Sequence, residues 1–426
     1  MPNDKDHDLS QEEGSEEKKY SFLRETIKPK PISREQLGKQ FVRIAIYGVI
    51  LGVFACLGFF ALKPLVQNWF RGELETVNIP EDEEPSEETA EGVDAEEALA
   101  PAADAGTYEE MMASMKERAE EAGKGLVSVK PVMEEQDWDA DMTGISDGVT
   151  GVITADNGQE LLILADSSVC GMASKWTVTF QDGKTYSASL KRRDNNTHLA
   201  VFSVLRGNIS DSTWSAVNVS TLGNSNLVKQ GDVVIALGNM FGYADGMAYG
   251  VISSTDYKEA LFDGEYDILA TDIPAEQEGT GILFNMDGEV IGMISSSVWT
   301  ETENSMANAY AISDLKSVIE LLANGQSVPY VGVYGTTVTS QLTEEQGIPS
   351  GVYVVDIDPD SPAMAAGIQI GDVICTVSGE DIGSIVSYQR TVLETKTGDE
   401  VKFKGKRLGV EGYVDIDFTV TIGSSE

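Results

Sequence analysis

Short apolar runs separated by turn residues fill most of the chain after residue 125. ELLILAD at 160–166, HLAVFSV at 198–204 and DVVIALGN at 232–239 are typical of them. Asn-Gly and Asp-Gly pairs between such runs indicate β-hairpins. Many short strands with few helical stretches predict a mostly β fold from about 125 to 311, built as barrels or a sandwich pair.

Two segments have helical patterns instead. In ISDLKSVIELLA, at 312–323, the apolar residues recur at helical spacing, and Asn324-Gly325 follows as an end signal. YEEMMASMKERAEEA, at 108–122, predicts a second, short helix. A further unit begins near residue 328. It has about 100 residues, which is an ordinary size for a domain.

The N-terminal part contains a candidate membrane anchor. Residues 44–62 read IAIYGVILGVFACLGFFAL, an uncharged apolar run about as long as a transmembrane helix needs to be. Lys63 and Pro64 follow instead of a small-residue cleavage site, which favours a retained anchor over a signal peptide. A buried core helix is the weaker alternative, because core helices are seldom apolar on every side.

Charge around this run sets its orientation. Residues 18–43 are rich in Lys and Arg, so the positive-inside rule predicts a cytoplasmic tail at 1–43 and extracytoplasmic domains after 62. The stretch from 72 to 106 is acidic, contains no Lys or Arg, and is interrupted by prolines. Residues 63–123 are therefore predicted to form a disordered acidic stalk followed by the short helix.

Composition excludes several classes of function. The chain has 30 Lys+Arg against 70 Asp+Glu, a net charge of −40, which argues against binding to a nucleic acid backbone. Hydrophobic residues make up 41% of the chain, which is enough for real cores. With three Cys and two His, and no CxxC pair, the sequence predicts neither a metal site nor a cofactor.

Several phrases together resemble the HtrA/Deg family of membrane-anchored, trypsin-like serine proteases. Leu199-Ala200-Val201, the GDVVIALGN phrase at 231–239 and the NMDGEVIG phrase at 285–292 carry this resemblance, and AYAI at 309–312 extends it. The resemblance implies a trypsin-like double β-barrel at 124–325 and a C-terminal PDZ domain of α+β type at 326–426. It also implies a possible homo-oligomer, a trimer by analogy.

The PDZ resemblance is the strongest local signal. SPAMAAGIQIGDVI, at 361–374, follows the family phrase closely. The resemblance implies that backbone N–H groups of one loop bind a peptide's C-terminal carboxylate and that the peptide adds as a strand. The predicted peptide-binding residues are Tyr330, Val331, Gly332 and Val333 in the loop, with Tyr388 and Val392 on the following helix.

The catalytic positions of the family are occupied by other residues. Ser168 stands where the family has the catalytic His, and His198 stands where it has the Asp. The nucleophile position falls on Gly279, or on Thr280 or Glu278 if the register shifts by one residue. A serine hydroxyl needs a nearby base, and His198 is the only histidine after the apolar run. No catalytic residue is therefore expected.

The sequence thus predicts a degenerate member, a pseudoprotease that binds peptide C-termini or unfolded proteins without cleaving them. An active serine endopeptidase of envelope quality control is the alternative, and a sensing role with the tail as reporter is a weaker one. Asp166, Ser168 and His198 could also cluster for a new hydrolytic role. The structural interpretation of His198 is a partly buried residue that hydrogen-bonds Ser168.

Overall fold

The computed structural model describes residue 47 and residues 75–82, 105–132, 148–171, 173–276, 278–299 and 305–426. The predicted cytoplasmic tail and, apart from Tyr47, the predicted membrane span at 44–62 lie outside the described residues. Within the described residues, none of the helices combines the length and the apolar character that crossing a bilayer requires. The chain divides into two units, Met1–Arg71 and Gly72–Glu426, and every element described below belongs to the second.

Six antiparallel strands close the first barrel, in the order β1-β2-β3-β6-β5-β4. Alternate side chains point inward and form an apolar core around residues such as Ile153, Ile163 and Phe202, which are fully buried. The strands are β1 (Leu126–Pro131), β2 (Val149–Asp156), β3 (Glu160–Asp166), β4 (Trp176–Thr179), β5 (Thr185–Asp194) and β6 (Leu199–Leu205).

A second six-stranded barrel follows, in the order β10-β11-β12-β9-β8-β7. Its strands are β7 (Val233–Asn239), β8 (Gly246–Leu261), β9 (Gly264–Pro274), β10 (Thr280–Phe284), β11 (Val290–Ile294) and β12 (Met306–Ala311). The helices of this part are α1 (Ala105–Gly123), α2 (Asp211–Trp214) and α3 (Ile312–Ala323), with short 3-10 helices at Ser167–Cys170, Arg206–Asn208, Ser225–Leu227 and Ser296–Trp299. The predictions of a mostly β fold and a double barrel are confirmed, and α1 and α3 correspond to the two predicted helices.

The C-terminal unit is built on a five-stranded antiparallel sheet, and a further short strand pairs with the central strand of that sheet. The main strands are β14 (Val333–Thr337), β15 (Val352–Ile357), β16 (Val373–Val377), β18 (Glu400–Gly409) and β19 (Gly412–Thr421), and the short ones are β13 (Pro329–Tyr330), β17 (Glu380–Asp381) and β20 (Gly423–Ser424). The helices are α4 (Ser340–Gln346), α5 (Pro362–Ala366) and α6 (Ile385–Leu393), and α6 packs against β14 and β16. The predicted PDZ fold is confirmed.

The SPAMAAG phrase shows how the sequence sets one of these helices. The Ser361 side chain accepts a hydrogen bond from the Met364 N–H at 3.2 Å, and Pro362 occupies the first helical position. Gly367 ends α5 in the left-handed region, at φ 86°. The phrase therefore encodes a complete short helix, with a start and a stop.

Residues 75–82 differ from the disordered stalk that the sequence predicted, because they are docked on α3. Asn324 exchanges two hydrogen bonds with the Val77 backbone, at 3.0 and 2.8 Å, and the Ile79 N–H donates to Glu320 at 2.7 Å. Lys316, which is 4% exposed, donates to the Asp82 carboxylate at 2.7 and 2.8 Å. Acidic side chains of this segment therefore have specific partners on α3.

Replacing Asp82 tests this docking. In Asp82→Asn the buried Lys316 ammonium loses its counter-charge, and loss of one partner from a buried ion pair costs about 3 kcal/mol. Denaturant unfolding of the full chain should show a loss of that order, and limited proteolysis should reach 75–82 more readily. Glu81→Gln is the control, because the contact that Glu81 makes among the described residues is an exposed hydrogen bond, accepted from Ser317. Equal stability of the two variants would contradict the docked arrangement.

Candidate functional site

Two of the three positions that align with the family's catalytic residues lie side by side in the first barrel. Strands β3 and β6 pair so that Asp166 lies opposite Leu199, and the Ser167 N–H donates to the His198 carbonyl at 2.8 Å. In the second barrel, Gly281 of β10 lies opposite Ile294 of β11. The segments that contain Ser168 and His198 are therefore neighbours in the first barrel, and Gly279 immediately precedes β10, whose Thr280 contacts Thr150 of the first barrel.

The first two positions do not form a catalytic pair. Ser168 is exposed on the 3-10 helix Ser167–Cys170, and its N–H donates to the Asp166 carboxylate at 2.8 Å. His198 is exposed too, at φ 56°, and lines a cleft that Tyr330 and Asp358 of the PDZ unit also line. Among the described residues, no hydrogen bond joins the Ser168 and His198 side chains. The prediction of a partly buried His198 bonded to Ser168 is therefore wrong, because this side chain faces the PDZ cleft.

At Gly279, the position aligned with the nucleophile, there is no space for a side chain. A Cβ atom there would lie 2.8 Å from the carbonyl oxygen of Met240, 2.9 Å from its Cα and 3.0 Å from the carbonyl oxygen of Glu276. These are backbone atoms, and they are fixed by hydrogen bonds from the Glu276 N–H to Met240 O, at 2.8 Å, and from the Gly279 N–H to Glu276 O, at 2.9 Å. A serine could enter this position only if the backbone moved.

Thr280, the neighbouring candidate, is occupied in holding the barrels together. It is 2% exposed, and its Oγ1 accepts a hydrogen bond from the Thr150 N–H at 3.0 Å. The Thr150 hydroxyl donates to the Thr280 carbonyl at 3.1 Å and accepts from the Asn239 N–H at 2.8 Å. Glu278, the remaining candidate, is exposed. The hydroxyl at 280 therefore serves as an acceptor inside the protein and is not available to a substrate.

A second polar connection crosses the same junction. Asp166 of the first barrel accepts a hydrogen bond from the hydroxyl of Ser295, a fully buried residue of the second barrel. Ser295 and Ser297 are hydrogen-bonded at 2.9 Å, and the Ser297 hydroxyl donates to Tyr310 at 3.4 Å. Burial raises the pKa of the Tyr310 phenol to about 12, so it stays protonated at neutral pH. The carboxylate of Asp166 is thus engaged by Ser295 and the Ser168 N–H, and it orients no imidazole.

The predicted PDZ loop does bind a carboxylate, and this carboxylate comes from the protein itself. The N–H groups of Val331 and Gly332 donate to Asp263 Oδ2, both at 2.7 Å, and the Val333 N–H donates to Oδ1 at 3.0 Å. The Tyr388 hydroxyl donates to Oδ1 at 2.9 Å. Four donors therefore converge on one side chain of the second barrel.

Asp263 lies in the turn between β8 and β9, at φ 58°, and is 7% exposed. Its own N–H donates to the Val333 carbonyl at 2.7 Å, so main chain and side chain both bind the loop. Burial raises the pKa of the Asp263 carboxyl, whereas the hydrogen bonds from the loop and from Tyr388 oppose this shift. Because every group that faces the carboxyl is a donor, the geometry suits the ionised form.

The rest of the turn packs around the same loop. The ring of Phe262 meets the rings of Tyr330 and Tyr334 edge-on, with centroids 6.3 and 6.1 Å apart. Gln389 on α6 accepts a hydrogen bond from the Glu265 N–H at 3.2 Å. The hairpin tip thus occupies the space between the carboxylate loop and α6.

The other predicted groove residues have different environments. Tyr330 donates its hydroxyl to Asp358 at 2.6 Å and is 8% exposed. Tyr388 is fully buried against Phe403, with only its hydroxyl reaching Asp263. Val392, at 1% exposed, belongs to the apolar core of the PDZ unit. Its position on α6 does not expose it to a ligand.

The contact of Asp263 with the PDZ loop was not predicted from the sequence. The Asp-Gly pair at 263–264 is a hairpin signal between two strand patterns, and such a pair ordinarily indicates only a turn. Its partners lie about 70 residues further along the chain, in another domain. Nothing in a single sequence connects a turn aspartate with a distant loop, so only the tertiary structure identifies this contact.

Comparisons with known proteins agree with both halves of the fold. Residues 149–293 match the trypsin-like peptidase domain family, and residues 329–418 match the PDZ domain family. A probable periplasmic serine endoprotease, DegP-like, of Halomonas elongata is 31% identical over 281 residues, which cover 64% of this chain and 56% of that protein. The putative serine protease HhoA of a Synechocystis species is 31% identical over 247 residues, covering 54% of this chain and 61% of its own.

Among solved structures, the serine endoprotease from Yersinia pestis has 25% identity and a TM-score of 0.50, and the match covers 73% of this chain and 98% of that one. This chain spans less than two thirds of the length of the two relatives described above. The matches and the two barrels with their C-terminal sheet lead to one conclusion: the chain carries a trypsin-like peptidase domain followed by a PDZ domain, and it is similar over this region to DegP-like serine endoproteases.

Proposed function

We propose that this protein is a pseudoprotease, an HtrA-like chain that binds peptides or unfolded envelope proteins through its PDZ domain and does not cleave them. The observation that carries the proposal is the closed position at Gly279, where a Cβ would lie 2.8 Å from a backbone carbonyl oxygen. An active serine must project into the substrate cleft, and this backbone leaves no volume for one.

The chemistry of the neighbouring positions supports the same proposal. Acyl transfer by a serine needs a base that takes its proton and a group that orients that base. Ser168, at the position of the base, is not basic, and His198 is directed to the PDZ cleft. Removing triad members leaves only weak residual catalysis in a working protease.

An active endopeptidase is the second candidate, and the relatives favour it. Several of them are named serine endoproteases or serine proteases. Activity in this chain would require the Met240 and Glu276 backbone to rearrange and His198 to act from another position.

The PDZ sheet is suited to a bound peptide. Strand β14 lies at the edge of its sheet, next to the carboxylate loop, which is the arrangement used for strand addition. Val331, Gly332 and Val333 already direct their N–H groups to a carboxylate. A peptide C-terminus supplies the same group, so we propose peptide C-termini as ligands.

We further propose that the chain is anchored in the cell membrane by residues 44–62, with 1–43 in the cytoplasm and 63–123 as the connection to the domains at 124–325 and 326–426. The apolar run and its basic N-terminal flank support this orientation. Relatives with periplasmic in their names are consistent with extracytoplasmic domains. A trimer remains a proposal by analogy with the family.

Incubation with unfolded casein tests the absence of proteolysis. The full chain in detergent should leave casein intact, and a fluorophosphonate label should add no mass to the protein, since no activated serine is present. His198→Ala is the matched variant and should behave identically. Casein cleavage that disappears in His198→Ala would restore the endopeptidase.

Adding one methyl group tests the closed position. Gly279→Ala should lower the free energy of unfolding by about 1–3 kcal/mol, as overpacking against fixed atoms does. Gly207→Ala is the control, because a Cβ at exposed Gly207 has nothing within 4 Å. Denaturant unfolding of both variants gives the comparison. A Gly279→Ala variant as stable as Gly207→Ala would show that the position has room for a side chain.

A further inference from the structure

We propose that the Phe262–Asp263 turn is a built-in ligand of the PDZ groove: the Asp263 side chain takes the place of a peptide's C-terminal carboxylate, so that free C-termini bind only by displacing it. This inference rests on the proposed peptide-binding function and adds its regulation. It also defines a class of ligand for the groove, an aspartate in a tight turn, in addition to a free chain end.

The loop that receives Asp263 is shaped for a carboxylate in advance. Successive N–H groups of Val331, Gly332 and Val333 point to one side, which makes an anion-binding concavity. Gly332 permits this shape, because it has φ 85° and a Cβ there would lie 2.4 Å from the Ser361 Cβ. Among the described contacts of Asp263, all partners of the carboxylate are N–H or O–H donors, and none is a cationic side chain.

Asp263 presents the same groups as a C-terminal residue. Its carboxylate accepts the three loop N–H bonds, and its own N–H donates to the Val333 carbonyl at 2.7 Å. A free chain end would use its terminal carboxylate and its last N–H for the same partners. The two ligands need the same loop atoms, so they exclude each other.

The contact is strengthened by its surroundings. Asn196 of the first barrel donates to the Phe262 carbonyl at 2.7 Å, and the Phe262 ring packs on Tyr330 and Tyr334. A ligand attached to its own receptor acts at an effective concentration of about millimolar or more. Because the groove is open only for a fraction of the time, the apparent affinity for any external ligand falls by that fraction.

Displacement of Asp263 from the loop would also affect the peptidase domain. The turn joins β8 to β9, two strands of the second barrel that pair along most of their length. A peptide in the groove would release this hairpin tip from Val331–Val333 and from Tyr388. Binding of a peptide to the PDZ domain would thus change the contacts of the second barrel through one side chain, Asp263.

Peptide binding by the full chain tests the proposal. The probe is a fluorescent pool of random heptapeptides with free C-terminal carboxylates, and the amidated pool is the ligand control. Asp263→Ala empties the loop and should bind the free-acid pool on the order of tenfold more tightly than the unchanged chain. Asp256→Ala, an exposed acidic residue of β8, is the matched control and should bind as the unchanged chain does.

A second variant separates the effect of the lost carboxylate charge from an effect on folding. Asp263→Asn keeps the shape of the side chain but removes its charge, so it should also bind the free-acid pool more tightly, by a smaller factor. Equal binding by the unchanged chain, Asp263→Ala and Asp263→Asn would overturn the built-in ligand and leave the peptide-binding function standing. Binding by none of them would overturn the peptide-binding function, and the inference with it.

Discussion

The contact between the Asp263 carboxylate and the Val331–Val333 loop determines how the PDZ unit meets the barrels. Four donors satisfy a charge that is 7% exposed, and charge-assisted hydrogen bonds of this kind are stronger than neutral ones. The C-terminus adds a second attachment, since the Asn195 N–H of the first barrel donates to the Ser425 carbonyl at 2.9 Å. The PDZ unit is thus bound to both barrels by polar contacts.

The junction between the barrels is held by two sets of buried polar contacts. Thr150 and Thr280 form one connection across it, and Asp166 and Ser295 form another. Buried polar groups are costly unless they are paired, so each connection makes the particular docking of the barrels specific. At this junction the hydroxyls of Thr150, Thr280 and Ser295 are all used for internal contacts.

The architecture could be predicted from the sequence because it depends on local patterns. Strand runs, the helix at 312–323 and the SPAMAAG phrase each encode an element within a few residues. The departure of Ser168 and Gly279 from the family motif is also visible in the sequence, and the loss of catalysis that it predicts stays a prediction. The assignment of the loop and of Tyr388 to peptide binding stays a prediction, and the structure adds that their donors already hold a carboxylate.

What could not be predicted depends on contacts between distant residues. The acidic composition of 75–82 indicated a solvated stalk, yet Lys316 on α3 and Asn324 directly after it give these residues specific partners. The orientation of His198 follows from the PDZ unit that packs beside it, and the role of Asp263 follows from a loop in another domain. A turn signal defines the backbone at 263–264 and gives no information on what the side chain meets.

Amide hydrogen exchange at residues 331–333 of the full chain measures the central contact most directly. Two of these N–H groups belong to the loop and the third to the first residue of edge strand β14, and all would exchange quickly if they faced solvent. The built-in ligand predicts slow exchange in the unchanged chain and a marked acceleration in Asp263→Ala, with β15 and β16 unaffected. Fast exchange at 331–333 in the unchanged chain, with the same rates in Asp263→Ala, would contradict the account.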